Sequence, residues 1–232
     1  MTDLHTHILP GMDDGATDVQ QSLVMLKSEA EQGVNTVALT PHFYPQRESV
    51  NSFLERRERA WQQLMECVGS YTGNAQLPAL RLGAEVAYVP GMWEWPELPQ
   101  LCYDGTKLLL VELPFTLWSE EIFRELYHIL GCRGITPMIA HQDRYIRLQK
   151  PKYLRMLMDM ELPYQVSVSA VLRHFSRREK ELLLYGGIPV SDCHDTQYRP
   201  ANLGKLQSFI CCKYGKTSAD DIVARTDIWN QM

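Results

Sequence analysis

Long hydrophobic runs and clusters of basic residues are both absent from this 232-residue sequence. No apolar window reaches the length of about 18 residues that a bilayer-spanning helix needs, and the acidic, polar N-terminus does not resemble a secretory signal. We therefore expect a cytoplasmic protein without membrane insertion. The net charge of −5 and the lack of Lys and Arg runs argue against a nucleic-acid partner. These features leave the oligomeric state open.

The sequence also lacks CxxC pairs, low-complexity tracts, internal repeats and long linkers. Its six cysteines are therefore expected to be reduced thiols. A 45 % apolar and 22 % charged composition is ordinary for a globular protein, and a chain of this length can form one domain. We predict a single domain over residues 1–232.

Short apolar runs alternate with amphipathic stretches along the chain. The apolar runs predict seven strands, at residues 3–9, 36–40, 80–87, 107–113, 136–140, 164–168 and 188–191. The stretches between them predict helices at residues 18–32, 50–68, 119–130, 152–160 and 170–185, with Asp18 and Ser119 as N-caps and Gly33, Gly131 and Gly186 as stops. This alternation predicts an α/β fold with a parallel sheet, closed into a barrel or distorted barrel.

Acidic residues and histidines recur where the predicted strands end. These candidate metal ligands are His5, His7, Asp14, His42, Glu85, Glu112, His141, Asp192 and His194. In parallel α/β barrels the loops that follow the strands converge at one edge, where the chemistry is found. Each residue alone has an ordinary alternative role, such as turn formation by Asp14 or core packing by His141. Their joint placement predicts a metal site.

The carboxylates in this set require positive charge nearby. Glu85 and Glu112 lie in apolar strands, where an unpaired carboxylate would cost several kcal/mol. Two carboxylates about 4 Å apart repel by roughly 4 kcal/mol at an effective dielectric of 20. Imidazole and carboxylate ligands without thiolate suit manganese, iron or zinc. Two or three such ions would make hydroxide available for phosphate ester hydrolysis by lowering the pKa of bound water.

Several segments of the chain resemble one known family. The motifs are DLHTH (residues 3–7), LPGMDDG (9–15), TPH (40–42), GAE (83–85), VELP (111–114), AH (140–141) and SDCH (191–194). They are similar, in order, to those of the PHP superfamily (polymerase and histidinol phosphatase). More narrowly, they resemble the CpsB/YwqE-like manganese-dependent tyrosine phosphatases of capsule and exopolysaccharide synthesis.

The resemblance implies a distorted (β/α)₇ TIM-like barrel with three divalent metal ions, most readily manganese. His5, His7 and Asp192 would bind the first ion, Glu112 and His141 the second with Glu85 bridging, and Asp14, His42 and His194 the third. Arg144 and Arg199 fall where the family has arginines that contact phosphate, although Arg199 could instead be an ordinary surface arginine. The implied substrate is a phosphotyrosine protein, such as a bacterial tyrosine kinase.

Some details of the site stay open at this stage. Asp192 and His194 are both candidates for assisting the leaving oxygen. Phe43 and Tyr44 either form an aromatic wall for the tyrosine ring or pack on the following helix.

Three other functions are consistent with parts of the sequence. Cys193 and Arg199 have the C-x5-R spacing of cysteine-dependent phosphatases, but the loop between them contains Asp195 and no glycine. The metal site could instead hydrolyse a small phosphomonoester such as histidinol phosphate. A non-catalytic metal-binding regulatory module is the third alternative, although such a module should have lost ligands.

Overall fold

The computed structural model describes residues 1–74, 76–174 and 177–228. Strands in this part of the chain are β1 (Thr2–Thr6), β2 (Thr36–Leu39), β3 (His42–Phe43), β4 (Ala79–Leu82), β5 (Glu85–Ala87), β6 (Leu108–Glu112), β7 (Thr136–Ile139), β8 (Gln165–Ser167) and β9 (Ile188–Val190). Helices are α1 (Val19–Glu31), α2 (Val50–Gly69), α3 (Glu120–Arg133), α4 (Pro151–Asp159), α5 (Val168–His174), α6 (Arg177–Leu184), α7 (Leu203–Tyr214) and α8 (Lys216–Ala224). The predicted α/β alternation is confirmed.

All strand pairs in the described residues are parallel. They form three sheets with the orders β1-β2-β4, β3-β5-β6-β7 and β8-β9. The ladders do not close into a continuous barrel, so the predicted distorted (β/α)₇ TIM-like barrel is not confirmed. Isolated bridges join Thr6 to Cys193 and Ile139 to Tyr164, which places the ends of separate sheets side by side.

Alternate strand residues contribute to two different cores, as the two-residue period of a strand requires. Leu4, Ala38, Leu110, Met138 and Val190 belong to a small buried cluster on one side of the strands. A larger cluster joins the intervening strand residues to the helices, for example through contacts to buried residues of α1, α2 and α3. The strands are therefore covered on both faces, as expected for parallel sheets.

Local signals predicted most boundaries but not all. Asp18 caps α1 by accepting from the Gln20 and Gln21 amides, whereas Ser119 makes no side-chain cap. Gly131 lies inside α3, and the stop is Gly134, which adopts a left-handed φ of 61°. The predicted helix at residues 170–185 corresponds to α5 and α6, and its residues 175 and 176 lie outside the described part of the chain.

The predicted strand at residues 80–87 is two strands, β4 and β5. Gly83 lies at the interruption, where an added Cβ would lie 3.0 Å from the Tyr103 ring. Helices α7 and α8 were not among the predicted elements. None of the helices in the described residues combines the length and hydrophobicity needed to cross a membrane.

Candidate metal centre

The ends of the strands bring all nine predicted ligands to one site. His5 is in β1 and His42 in β3, while Glu85 begins β5 and Glu112 ends β6. The other five lie in the segments that follow β1, β7 and β9: His7, Asp14, His141, Asp192 and His194. Glu85 is central, because its Oε2 lies 3.1 Å from His5 Nε2, 3.4 Å from His7 Nε2 and 2.8 Å from His42 Nδ1.

One group of possible ligands consists of His5, His7 and Asp192, all buried. His5 Nε2 and His7 Nε2 lie 3.2 Å apart. Asp192 Oδ1 lies 3.6 Å from His5 Nε2 and 3.5 Å from His7 Nε2. Two ring nitrogens that face each other beside a carboxylate oxygen could share one cation. This is the set that the family resemblance implied for the first ion.

A second group combines His7 with Asp14, His42 and His194. Asp14 Oδ1 lies 3.6 Å from His42 Nε2 and 3.5 Å from His194 Nε2. The Asp14 side chain is 68 % exposed, so this group is at the mouth of the site. Three of its members are those implied for the third ion.

The third group differs slightly from the implied one. It contains His42, Glu85 and Glu112, whereas the resemblance paired Glu112 with His141. His141 nevertheless adjoins both carboxylates, with Nε2 2.8 Å from Glu85 Oε1 and 3.5 Å from Glu112 Oε1. His141 therefore belongs to the same cluster.

Backbone geometry at the site is unusual at two of these residues. His141 and Asp192 have φ values of 28° and 54°, in the left-handed region that non-glycine residues seldom adopt. Such conformations cost about 1–3 kcal/mol each and concentrate at functional sites. Gly15 is required for a different reason, since a Cβ there would lie 2.0 Å from the His7 carbonyl oxygen. The loop after β1 thus packs directly on a predicted ligand.

Two residues that the sequence analysis missed orient the imidazoles. Asp13 Oδ2 accepts from His7 Nδ1 at 2.7 Å. Gln165 Oε1 accepts from His5 Nδ1 at 2.8 Å, and its amide is oriented because Gln165 Nε2 donates to Tyr103, whose hydroxyl donates to the Leu4 carbonyl. These bonds place the Nδ1 protons away from the cluster and direct each Nε2 towards it, as the hydrogen-bond partners of metal-bound histidines do.

Asp13 could have been found from the adjacent acids of the LPGMDDG motif. Gln165 carried no signal, since its chemistry is ordinary and its strand lies far along the chain.

The charges of the site favour cations. Burial alone would raise the pKa of Glu85, but the charge of His5 and hydrogen bonds from His141 hold that pKa well below its usual range. Burial likewise opposes protonation of the histidines, but the Asp13 carboxylate raises the pKa of His7 well above its usual value. Hydrogen bonds to Glu112 and Glu85 raise the pKa of His141 to about 9. Protons on imidazoles thus neutralise buried carboxylates, which a divalent cation would also do.

Candidate ligand atoms without hydrogen-bond partners also support a metal site. His194 Nε2 is buried and has no hydrogen-bond partner among the described residues. His42 Nδ1 and Glu85 Oε2 lie 2.8 Å apart but are not aligned for a hydrogen bond. Nitrogen and oxygen atoms that converge without hydrogen bonds are typical of metal ligands, so the donor atoms of this cluster fit a metal site.

The two predicted arginines share one carboxylate oxygen of the cluster. Arg144, in a 3₁₀ turn (Gln142–Tyr145), contacts Asp192 Oδ2, and Arg199 Nη2 lies 2.5 Å from the same atom. Each arginine side chain remains 35 % exposed. Two guanidinium groups therefore border the ligand cluster and remain accessible to an anion.

The two candidate proton donors, Asp192 and His194, both have lowered pKa values. Despite burial, the charges of His5, Arg144 and His7 keep the pKa of Asp192 well below its usual value. Burial and the charge of His7 lower the pKa of His194 to about 3. Both groups are therefore deprotonated near neutral pH, which disfavours them as general acids.

Cys193 does not have the surroundings of a nucleophile. The residue is 1 % exposed, and its Sγ lies 3.5 Å from the Asp195 carbonyl oxygen. Burial, with the charges of Glu29 and Asp3, raises the pKa of the thiol well above its usual value. A cysteine nucleophile needs a lowered pKa and access to solvent, so the C-x5-R alternative loses its support.

Aromatic side chains border the site in a different arrangement from the one considered. Phe43 is fully buried and packs on Phe53 of α2 at 4.9 Å, so it forms no wall. Tyr44 stacks on His42 at 5.0 Å between ring centroids. Phe115 is 47 % exposed and stacks on His141 at 6.0 Å. Tyr44 and Phe115 therefore lie beside the ligands at the surface, and the buried ring of Tyr145 lies 5.9 Å from His141 beneath them.

Comparisons with known proteins found a matching family model and similar sequences. A family model described as "Capsular polysaccharide synthesis, CpsB/CapC" matches residues 1–227. Tyrosine-protein phosphatase CpsB of Streptococcus pneumoniae is 28 % identical over 243 residues, covering 96 % of this chain and 94 % of the relative. Tyrosine-protein phosphatase YwqE of Bacillus subtilis (strain 168) is 27 % identical over 209 residues, covering 86 % and 79 %.

A solved structure shows a similar fold. It is described as "Crystal structures of YwqE from Bacillus subtilis and CpsB from Streptococcus pneumoniae, unique metal-dependent tyrosine phosphatases". The match has a TM-score of 0.76 at 22 % identity and covers 98 % of this chain and 93 % of the other.

Proposed function

The chain belongs to the CpsB/CapC family, and on that premise we propose that it is a metal-dependent tyrosine-protein phosphatase of capsular polysaccharide synthesis. The observation that carries the proposal is a cluster of five histidines and four carboxylates in which four of the histidines contact Glu85. The names of the relatives, which are tyrosine-protein phosphatases, support the same activity.

Three divalent ions, most readily manganese, complete the proposed site. His5, His7 and Asp192 would hold one, Glu112 and His141 with Glu85 another, and Asp14, His42 and His194 the third. Nitrogen and oxygen ligands without thiolate suit manganese, although iron and zinc fit the same donors. When bound, such ions supply Lewis acidity, which lowers the pKa of water and neutralises phosphoryl oxygens.

Arg144 and Arg199 position the phosphoryl group in this proposal. A guanidinium group matches two phosphate oxygens at once. Asp192 holds both arginines beside the ligand cluster, so their exposed N–H groups face an entering anion. The phenolate of tyrosine, with a pKa near 10, leaves more readily than an alkoxide. The reaction therefore needs less help from a proton donor, in agreement with the deprotonated Asp192 and His194.

Tyr44 and Phe115 receive the phenol ring. Both rings stack on histidines of the cluster, so a substrate ring between them would hold its phosphate against the ligands. The natural substrate in this proposal is a phosphotyrosine protein in the cytosol, specifically a tyrosine kinase of capsule synthesis. The description of the matching family model supports the link to capsule synthesis.

We also propose that residues 1–232 form one domain whose three sheets are arcs of a distorted seven-unit barrel. The bridges at Thr6–Cys193 and Ile139–Tyr164 support this arrangement, since they join sheets that the ladders leave separate. The small buried cluster around Leu4 and Val190 also supports this arrangement, because strands of all three sheets contribute residues to that cluster.

Hydrolysis of a phosphotyrosine peptide by chelated protein, with and without manganese, tests the function. We expect activity that manganese restores, that is lost in His5→Ala and that is kept in Cys193→Ala. Activity indifferent to metal, or lost only with Cys193, would refute the metal site. Hydrolysis of histidinol phosphate but of no aryl phosphate would keep the metal chemistry and change the substrate.

A further inference from the structure

A second region of positive charge adjoins the proposed catalytic site. A cavity of about 610 Å³ is lined by Asp192, Arg144 and Arg199 at one end and extends to Arg173 of α5 and Lys205 of α7. The family resemblance and the metal cluster assign no role to these last two residues. This cavity is far larger than a phosphate group, so a longer ligand could occupy it.

The surface of this cavity is basic although the protein is acidic overall. Arg173 and Lys205 are exposed, and Arg144 and Arg199 are each 35 % exposed. The two acids of the lining, Asp143 and Asp192, are 9 % and 3 % exposed. Asp143 is engaged, since its Oδ1 accepts from the Ser167 amide. A ligand would therefore contact four cations and little negative charge.

The oxygen of a buried side-chain amide in the same cavity lacks a partner. Asn202 is 6 % exposed, and its Oδ1 has no hydrogen bond within the described part of the chain. It is the N-cap residue of the twelve-residue helix α7, but its side chain makes no capping bond. A side-chain amide offers both a donor and an acceptor, which matches one peptide group of an extended chain. A buried polar group without a partner is costly unless a ligand satisfies it.

We propose that this cavity binds the peptide segment that flanks the phosphotyrosine and that it selects acidic residues there. The inference rests on the proposed phosphatase activity and adds the sequence class of its substrate. Arg144 and Arg199 hold the phosphoryl group at one end. Arg173 and Lys205 pair with carboxylates of the flanking residues, Asn202 binds a peptide group, and the positive N-terminal end of α7 adds to the attraction.

The test compares two phosphotyrosine peptides that differ only in glutamate or glutamine at the three positions on each side. Exposed ion pairs contribute modestly, so we expect the wild type to prefer the acidic peptide in kcat/KM by roughly threefold to tenfold. In Arg173→Gln/Lys205→Gln this ratio should fall to about one. The matched control Arg59→Gln/Lys107→Gln removes the same charge from exposed positions outside the cavity and should keep the wild-type ratio.

Asn202→Asp provides a second variant that should fold. Aspartate has nearly the shape of asparagine and its charge is favoured at a helix N-terminus, so the new charge should reduce the preference for the acidic peptide, with the melting temperature measured as the check on folding. A wild-type ratio of one, or a ratio that neither variant lowers, would overturn the inference.

The outcome is separable from that of the phosphatase proposal. If the wild type hydrolyses phenyl phosphate with manganese but does not distinguish the peptides, only the cavity assignment fails. If no aryl phosphate is hydrolysed, the same peptides carrying an uncleavable phosphonate report on the cavity through Kd by calorimetry. Equal Kd values for the two phosphonate peptides would then refute the assignment.

Discussion

The carboxylate of Asp13 should determine how tightly the site binds metal without being a ligand itself. Its side chain is 5 % exposed and accepts from His7 Nδ1 at 2.7 Å, the His42 amide at 2.8 Å and the Gly15 amide at 2.9 Å. Asp13→Asn keeps the shape but removes the charge. It also turns one acceptor into a donor, which would face either a backbone amide or the His7 N–H.

Two effects of this substitution can be estimated. Loss of a carboxylate that hydrogen-bonds to a metal-binding histidine typically lowers metal affinity by about 10- to 100-fold, or roughly 1.4 to 2.7 kcal/mol. A buried acceptor-to-donor mismatch costs about 1–3 kcal/mol of stability. The ligand atoms themselves remain, so saturating manganese should restore most of the activity.

Titration of chelated Asp13→Asn with manganese, by calorimetry and by phenyl phosphate hydrolysis, measures the first effect. Urea unfolding without metal measures the second. Asp18→Asn is the matched control, because Asp18 only caps α1 and asparagine caps equally well. Asp14→Asn should lose more, since Asp14 is a proposed ligand. Manganese affinity within twofold of wild type in Asp13→Asn would refute the orienting role.

Three further outcomes are expected. Phe115→Ala should raise KM for phenyl phosphate by about threefold to tenfold while leaving ethyl phosphate unchanged, because the exposed ring stacks only with an aromatic substrate; equal losses would refute this role. Manganese binding should release protons and become tighter from pH 6 to 9, because His141, with its pKa raised to about 9, must lose its proton to bind the ion. Calorimetry in two buffers of different ionisation heat measures the proton release. No proton release would contradict His141 as a ligand. Burial raises the pKa of Asp3 to about 6 and, helped by the Asp3 charge, that of Glu29 well above its usual value. Since both folded-state values are raised, the metal-free protein should lose stability as pH rises from about 4 through these values, by about 3 kcal/mol for Asp3 alone. In Glu29→Gln the free energy of unfolding in urea should differ less between pH 5 and pH 8 than in the wild type. An unchanged difference would contradict the raised pKa of Glu29.

The positions of the candidate ligands were predictable because two local patterns coincide. Apolar runs mark strands, and residues such as His42 and Glu112 stand where those runs stop. In parallel sheets the ends of strands meet at one edge, so a one-dimensional pattern becomes a cluster. Local patterns predicted the wrong helix end where two glycines lie close together. Gly131 resembles a helix stop, but the left-handed position is occupied by Gly134.

Burial of individual side chains was less predictable. The sequence around Phe43 and Tyr44 fits a wall or a core equally well, since both residues are aromatic and adjacent. Contact with Phe53 on α2 decides the matter for Phe43, and that contact depends on how α2 packs.

The sequence by itself determined the alternation of strands and helices and the set of candidate ligand types, since both depend on residue identity and short-range spacing. Only the tertiary structure decided which groups orient the ligands and which cations share a cavity. Gln165 contacts His5 across 160 positions, and Arg173 and Lys205 line the same cavity as Asp192. Such pairs form because helices and strands from distant parts of the chain pack together, and no local periodicity records which of them will meet.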